Sequence, residues 1–369
     1  MTTRREFLTT AAAAGGALLT GTLPRLVHTE ELATVERAAA PLNILVLGGT
    51  GFIGPHLVRH AVQRGHKVSI FTRGRHGAEL PASVVRLQGD RNGQLGALEG
   101  KTWDAVVDDS ANNPDWVRQS TELLKGSAGA YLFTSSTGVF YPYLTRGADE
   151  STPVLYDAAD SKDGSAAFGT AKAQGERYVL DRFGDRGLVV RPTYIVGPGD
   201  TSDRFPYWPV RLARGGEVLA PGRRDDPSQI IDVRDLAEFM VKLLEDKRTG
   251  VYNVAGPKQP LLAHDFYRDA ARAIGAQATF VDVDDYDFLA EHKIDEAIPW
   301  AMLRGNDDGM MSVKNGKAIA AGLGFRPLAT TVRDTLAWWP TVPQARRDSP
   351  RFTIKPDQEA KALADWKAR

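Results

Sequence analysis

Three glycines carry the chemistry that this sequence announces most clearly. They lie in Leu42–His66, which reads LNILVLGGTGFIGPHLVRHAVQRGH. Gly48, Gly51 and Gly54 recur at three-residue spacing directly after an apolar run, Ile44, Leu45, Val46 and Leu47. A helical pattern follows at once, with Leu57, Val58, Ala61 and Val62 on one face. Strand, glycine turn and helix start, in that order, set backbone N–H groups and a helix N-terminus against a diphosphate. Gly48 is expected to make the tight turn, Gly51 to let the backbone approach the phosphates, and Gly54 to allow close helix–strand packing. A glycine triplet alone is a weak signal. The strand before it and the helix after it point to a bound dinucleotide.

The end of the next strand bears on which dinucleotide. Lys67–Thr72 (KVSIFT) runs into Arg73-Gly74-Arg75 with no acidic residue. A carboxylate there would bind a ribose 2′-OH, whereas arginine accommodates a 2′-phosphate. Arg73 and Arg75 therefore favour NADP over NAD, unless they stack on the adenine or face water.

Further strands are expected at Ser83–Leu87, Trp103–Val107, Ala130–Thr134 and Leu188–Arg191, with helical patterns between most of them, notably Trp116–Leu124 and Ala167–Phe183. This alternation predicts an α/β fold built on a doubly wound parallel sheet, with ligands at the carboxyl ends of the strands. Polar clusters fall at those ends: Asp90, Asp108 to Ala111, Ser135-Ser136 and Pro192-Thr193. After Gly197-Pro198-Gly199 the chain changes character. Short strands at Val218-Leu219 and Gln229–Ile231, and helices at Val233–Leu244 and Ala263–Ala273, suggest a smaller lobe closing over a substrate. Lys314–Trp339 and the charged tail from Asp357 are expected to add helices on its flank.

The 369 residues carry 46 basic and 46 acidic side chains and no cysteine. A balanced charge gives no reason to expect a nucleic-acid partner, and no His/Asp/Glu spacing suggests a metal. At the N-terminus, Thr3-Arg4-Arg5-Glu6-Phe7-Leu8 precedes a small, weakly apolar run from Ala11 to Leu23. This segment resembles a twin-arginine export signal and is too short and too rich in Ala and Gly to span a bilayer. It implies the twin-arginine translocase as a partner and a periplasmic or extracellular destination. That route carries folded proteins, which suits an enzyme that must keep a cofactor scarce outside the cytoplasm. Ala38-Ala39-Ala40 has the small-residue look of a cleavage site, but Pro41 argues against cutting there.

Taken together, Gly48-Gly-Thr50-Gly-Phe-Ile-Gly54, Asp90, Thr134-Ser135-Ser136, Arg191-Pro-Thr-Tyr-Ile-Val-Gly-Pro-Gly199, Gln229-Ile-Ile-Asp-Val-Arg-Asp235 and Tyr252-Asn-Val-Ala-Gly256 resemble the extended short-chain dehydrogenase/reductase superfamily, also called the NAD-dependent epimerase/dehydratase family. The resemblance runs from about Leu42 to Trp339. It is strongest toward divergent members such as the chloroplast stem-loop-binding proteins. With the twin-arginine segment and its linker at residues 1–40, it implies a dinucleotide-binding Rossmann domain at 41–198, a substrate-binding lobe interleaved with it at 199–345, and a tail at 346–369. It also implies that Gly48, Thr50, Gly51, Phe52, Ile53 and Gly54 hold the pyrophosphate. Asp90 and Arg91 would sit beside the adenine, and Asp108 and Ser110, Ala111 and Asn112 on the ribose side. Pro192, Thr193 and Ile195 would lie against the nicotinamide carboxamide, Ser136 would be the catalytic hydroxyl, and Lys172 the lysine that binds the ribose.

One departure stands out. The family's helix carries Tyr-x-x-x-Lys, in which the ammonium lowers the pKa of a phenol one turn away. Here the helix reads Phe168-Gly-Thr-Ala-Lys172, and a phenyl ring has no proton to give. Tyr141, Tyr143, Tyr156 and Tyr194 are candidates to replace it, while His56 and His66 read as structural. The expected activity is an oxidoreductase or epimerase acting on a sugar-like hydroxylated substrate. Asp203, Arg204, Trp208, Gln229 and Arg234 are the candidate substrate contacts, since flat aromatics beside charges suit a sugar, though they suit core packing equally. Loss of the tyrosine leaves open a catalytically silent nucleotide-binding protein. An RNA-binding role like that of the chloroplast relatives is disfavoured by zero net charge and by export. Monomer and homodimer both remain open.

Overall fold

Apolar runs that end at glycine or at a polar cluster become the central strands. The computed structural model describes residues 35–75, 77–109, 111–157 and 164–369. The twin-arginine motif and Ser110 lie outside the described residues. In chain order the first half holds β1 (Asn43–Leu47), α1 (Ile53–Gln63), β2 (Lys67–Thr72), β3 (Val85–Gln88), β4 (Trp103–Asp108), α2 (Pro114–Leu124), β5 (Ala128–Thr134), α3 (Gly164–Phe183), β6 (Gly187–Pro192) and β7 (Tyr194–Val196). There follow α4 (Tyr207–Ala213), β8 (Gly216–Pro221), β9 (Pro227–Asp232), α5 (Val233–Glu245), β10 (Gly250–Val254), β11 (Gly256–Leu262), α6 (Ala263–Ile274), β12 (Ala278–Val283) and α7 (Tyr286–Glu291). The chain ends with β13 (Glu296–Ala297), β14 (Trp300–Ala301), α8 (Gly316–Ala320), α9 (Leu328–Trp338), α10 (Gln344–Asp348) and α11 (Pro356–Lys367).

Seven strands form one sheet in the order β10-β6-β5-β4-β1-β2-β3, with every neighbouring pair parallel. Such strands are covered on both faces and therefore read as continuous apolar runs rather than alternating ones. One face packs Ile44, Val46 and Ile70 against Leu57, Val58 and Ala61 of α1 and Leu236, Met240 and Leu243 of α5. The other packs Leu45, Phe71 and Phe133 against Val117 and Leu124 of α2 and Val179 of α3. The order reverses between β1 and β4, and a crevice opens at that switch point.

The chain returns to this sheet after leaving it. Helix α5 and strand β10, inside the segment expected to form the smaller lobe, belong to the parallel sheet and its covering layer. The physical reason is apolar burial: Tyr252 and Val254 of β10 and Leu236, Met240 and Leu243 of α5 share the core on this face of the sheet. Helix α5 starts at Asp232, whose side chain accepts from the Arg234 N–H. The lobe itself is built on β8 paired parallel with β12 and on a second core of Phe205, Tyr207, Trp208, Phe266, Tyr267 and Trp300. The terminal helix α11 closes it, with Glu359 bonded to Arg211 at 2.6 Å and to the Leu219 N–H at 3.1 Å.

Candidate functional site

The glycine turn after β1 has the geometry that its sequence requires. Gly48 and Gly49 adopt φ of 115° and 91°, values closed to most side chains. A Cβ on Gly54 would lie 2.4 Å from the Gly49 backbone, so α1 seats directly on the turn. Gly51 differs, because a Cβ there would meet nothing within 4 Å. It faces a cavity of about 350 Å³ lined by Gly48, Thr50, Phe52, Ile53, Arg73, Arg75, Asp90, Arg91 and Ile195. The exposed open side of Gly51, the turn and the helix N-terminus make a cradle of the kind that receives a diphosphate. Arg73 and Arg75 are exposed at its far end. These residues fit a dinucleotide.

Arg91 lines this cavity, with its Nε unpaired. Its guanidinium is buried and paired with both oxygens of Asp108, and it donates to the Ser120 hydroxyl at 3.0 Å. Asp108 also accepts from the Tyr131 hydroxyl at 2.7 Å and is fully buried. The pair is a core ion pair that anchors β4 to the loop after β3; Arg91 also lines the first cavity, whereas Asp108 lines neither cavity. Asp109, the next residue, is the one that faces the cleft. Its Oδ1 accepts from the Gly49 N–H at 3.3 Å. Burial, and then the neighbouring Asp108, push its carboxyl up to about 7.

A larger cavity of about 940 Å³ continues from the first, sharing Phe52, Ile53, Asp109 and Ile195 with it. Ser136, Phe168, Lys172, Pro192 and Thr193 line it. Ser136 follows β5 and its Oγ accepts from the Gly138 N–H at 3.0 Å, which leaves its own O–H free to donate. Helix α3 lies close against this turn, since a Cβ on Gly169 would fall 2.3 Å from the Gly138 carbonyl oxygen. Lys172 is buried on α3 and donates to the carbonyls of Ala111 at 2.9 Å and Thr134 at 3.0 Å. Burial lowers its ammonium to about 8. One turn further, Glu176 accepts from Ser135 Oγ at 2.5 Å and from Arg191 Nε at 2.8 Å and Nη2 at 2.6 Å. That buried network ties α3 to β5 and β6 and so holds Lys172 in register with Ser136.

Of the five candidate substrate contacts, Arg204 alone lines the cleft. Trp208 is fully buried, stacked 4.2 Å from Tyr267, and its indole N–H donates to the Ala297 carbonyl at 3.0 Å. Asp203 is buried against Arg346 and accepts from the Arg351 N–H. Gln229 pairs with both backbone groups of Val313. Arg234 is held by Asp232 and Asp334. These four side chains are held by protein partners, and none of them lines the cleft.

Residues not singled out from the sequence take their place. Glu296 stands on the β13–β14 hairpin and accepts from the Tyr194 hydroxyl at 2.9 Å, with Arg204 packed over the Tyr194 ring. The hairpin is braced from behind by Trp208 and by Ser228, which donates to the Pro299 carbonyl at 3.0 Å. Asp200, Asp295, Arg304, Asp307, Met302 and Met310 complete this end of the cleft. Among the tyrosines considered as a replacement base, Tyr141, Tyr143 and Tyr194 line the cavity and Tyr156 does not. Burial pushes the Tyr143 and Tyr194 phenols well above their ordinary value, which keeps both protonated, so that neither supplies a phenolate base and both are weak acids. His56 bonds the Pro198 carbonyl and His66 bonds Glu245. Among the described residues no cluster of His, Asp and Glu could hold a metal, and no helix is long and apolar enough to cross a membrane.

A seven-stranded parallel sheet with a glycine turn at its switch point defines a doubly wound α/β protein of the Rossmann kind. The model of the NAD dependent epimerase/dehydratase family matches residues 44–125 and 117–255. The chain belongs to that family. It is 27% identical over 252 residues to a chloroplast stem-loop binding protein of 41 kDa from Arabidopsis thaliana, a match spanning 63% of this chain and 64% of that protein's length. It is 28% identical over 254 residues to a dTDP-4-dehydro-6-deoxy-D-allose reductase of Streptomyces bikiniensis, spanning 59% of this chain and 77% of the reductase. In fold it is similar to a Bordetella bronchiseptica enzyme solved in complex with NAD+, with a TM-score of 0.60 and 17% identity over 82% of this chain and 99% of the other.

Proposed function

We propose that this protein is an exported NAD(P)-dependent oxidoreductase or epimerase that acts on a sugar-like hydroxylated substrate. The observation that carries the reading is the joining of two cavities through Asp109, Phe52 and Ile53, one cradled by the glycine turn and the other lined by Ser136 and Lys172. A nicotinamide bound there would exchange hydride with the substrate carbon. The Ser136 O–H would donate to the substrate oxygen. Lys172, fixed by two backbone carbonyls, would turn its remaining donor to the ribose hydroxyls. Hydroxyl and carboxylate side chains from Asp200, Ser202, Tyr141 and Glu296 along the second cavity suit a polyhydroxylated compound, and the Streptomyces relative is named for a deoxysugar. Arg73 and Arg75, with no acid at the end of β2, favour NADP.

The test uses the full chain purified from its native host. Bound nucleotide is extracted and identified, and absorbance in the reduced-nicotinamide band is followed as a panel of sugars is added. A change with at least one sugar supports an oxidoreductase. Bound nucleotide with no change for any sugar would favour a silent nucleotide-binding protein, the reading that Phe168 also permits. Export is tested separately. A fusion of Met1–Ala40 to a reporter should leave the cytoplasm, and Arg4→Lys with Arg5→Lys should retain it.

A further inference from the structure

The diphosphate cradle has a carboxyl group at its floor. Asp109 follows β4 at the point where both cavities meet, and its Oδ1 is held by the N–H of Gly49 in the turn itself. A diphosphate brings two negative charges onto that same turn. Around Asp109 stand Asp108 on its own strand, Arg91 from the loop after β3, and Lys172 from α3. Arg91 is already neutralised by Asp108. Lys172 points its ammonium at two carbonyls, one of them that of Ala111. Among the described residues neither cation bonds Asp109 directly, so Arg91 and Lys172 offset only in part the repulsion between an ionised carboxylate and the diphosphate.

We propose that Asp109 is a cofactor-binding residue that enters the dinucleotide complex as the neutral acid, so that nucleotide binding takes up a proton. The proposal rests on reading the cleft as a dinucleotide site. As an acid, Asp109 donates one hydrogen bond to an anionic oxygen; as a carboxylate, it could only accept from a ribose hydroxyl. Its raised pKa, about 7 in the free protein, makes the proton affordable near neutrality. The sign follows directly. Below that value the free protein is already protonated and binding takes up nothing. Above it each complex takes up close to one proton, and affinity falls about tenfold for each pH unit.

The experiment is calorimetric titration of NADP+ and NAD+ into the full chain, in buffers of different ionisation enthalpy. Uptake is read at pH 7, below the Lys172 midpoint near 8, so that Asp109 dominates the signal. The expected result is roughly half a proton at pH 7, falling almost to zero at about pH 5.5. Asp109→Asn keeps a donor without a charge. It should abolish the uptake and bind nucleotide about tenfold more tightly than wild type at pH 8. Asp109→Leu removes charge and donor together and should likewise lose the uptake. Binding without uptake in the wild type, weakened by Asp109→Asn, would overturn the proposal in favour of a ribose-bound carboxylate. Absence of binding by either nucleotide at any pH would remove the dinucleotide site itself, a failure recognisable from the first.

Discussion

The Phe168 ring lies one helical turn before Lys172, with its centroid 5.8 Å from the ammonium nitrogen. It also presses on Gly138, where an added Cβ would sit 3.0 Å from the Phe168 ring and 3.3 Å from Ser136 Oγ. The phenyl ring is thus close to the turn that carries Ser136 and to the Lys172 ammonium. Phe168→Tyr is expected to introduce or raise alcohol oxidation, with the new phenol titrating below its usual value beside Lys172. Ser136→Ala should lower any wild-type turnover by ~10²-fold or more, whereas Phe168→Ala should leave some activity. Steady-state rates for the three variants check this. Full activity in Ser136→Ala would place the chemistry elsewhere.

The buried ammonium has a consequence for stability. Lys172 loses its proton near pH 8 when folded, but keeps it to about pH 10.4 when unfolded. Between those values the unfolded chain binds more protons, so the wild type should gain stability relative to Lys172→Met as pH rises. The relative gain is up to ~3 kcal/mol. Below about pH 8 both states are protonated and the burial cost is present in full. Urea unfolding of both proteins at pH 7.5 and pH 10 measures it, and parallel pH dependences would show that Lys172 is not buried in this way.

Two glycines three residues apart should fail in different ways. Gly54→Ala drives a methyl group into the Gly49 backbone and is expected to cost ~1–3 kcal/mol of stability through overpacking. Gly51→Ala meets no protein atom within 4 Å, so its melting temperature should match the wild type. Its nucleotide affinity should still fall by about tenfold, or ~1.4 kcal/mol, because the methyl enters the cradle. Thermal melts beside nucleotide titrations separate the two. Unchanged affinity in Gly51→Ala would mean the phosphates lie elsewhere.

Arg73→Asp is expected to shift nucleotide preference from NADP toward NAD, since a 2′-phosphate would then face a like charge. Competition binding with both nucleotides reads the change directly. Extracted nucleotide consisting solely of NAD would argue against the assignment of Arg73 and Arg75.

The sheet was legible because parallel strands buried on both faces must be apolar throughout. Ile44–Leu47 and Leu188–Val190 announce themselves in that way. The cradle was legible because a tight turn and a close helix contact each demand glycine at a fixed place. The substrate end was not. Trp208 beside Arg204 reads as a sugar platform, but its ring is fully buried on Tyr267. Nothing local distinguishes an aromatic ring in a cleft from one in a core. Glu296 gave no signal at all, because its orientation depends on Tyr194, 102 residues earlier in the chain.

The sequence by itself determined where the backbone must bend, which segments are buried, and that a phenyl ring, Phe168, precedes Lys172 by one helical turn. Those properties depend on residue type and on neighbours a few positions away. Only the tertiary structure decided which charges are free to meet a ligand. Asp203 is consumed by Arg346, 143 residues distant, Arg234 by Asp334, 100 residues distant, and Arg91 by Asp108 across two strand ends. Asp109, adjacent to Asp108 and chemically identical, is left facing the cradle. A carboxylate's role follows from the partner the fold brings to it, and that partner is set by long-range packing.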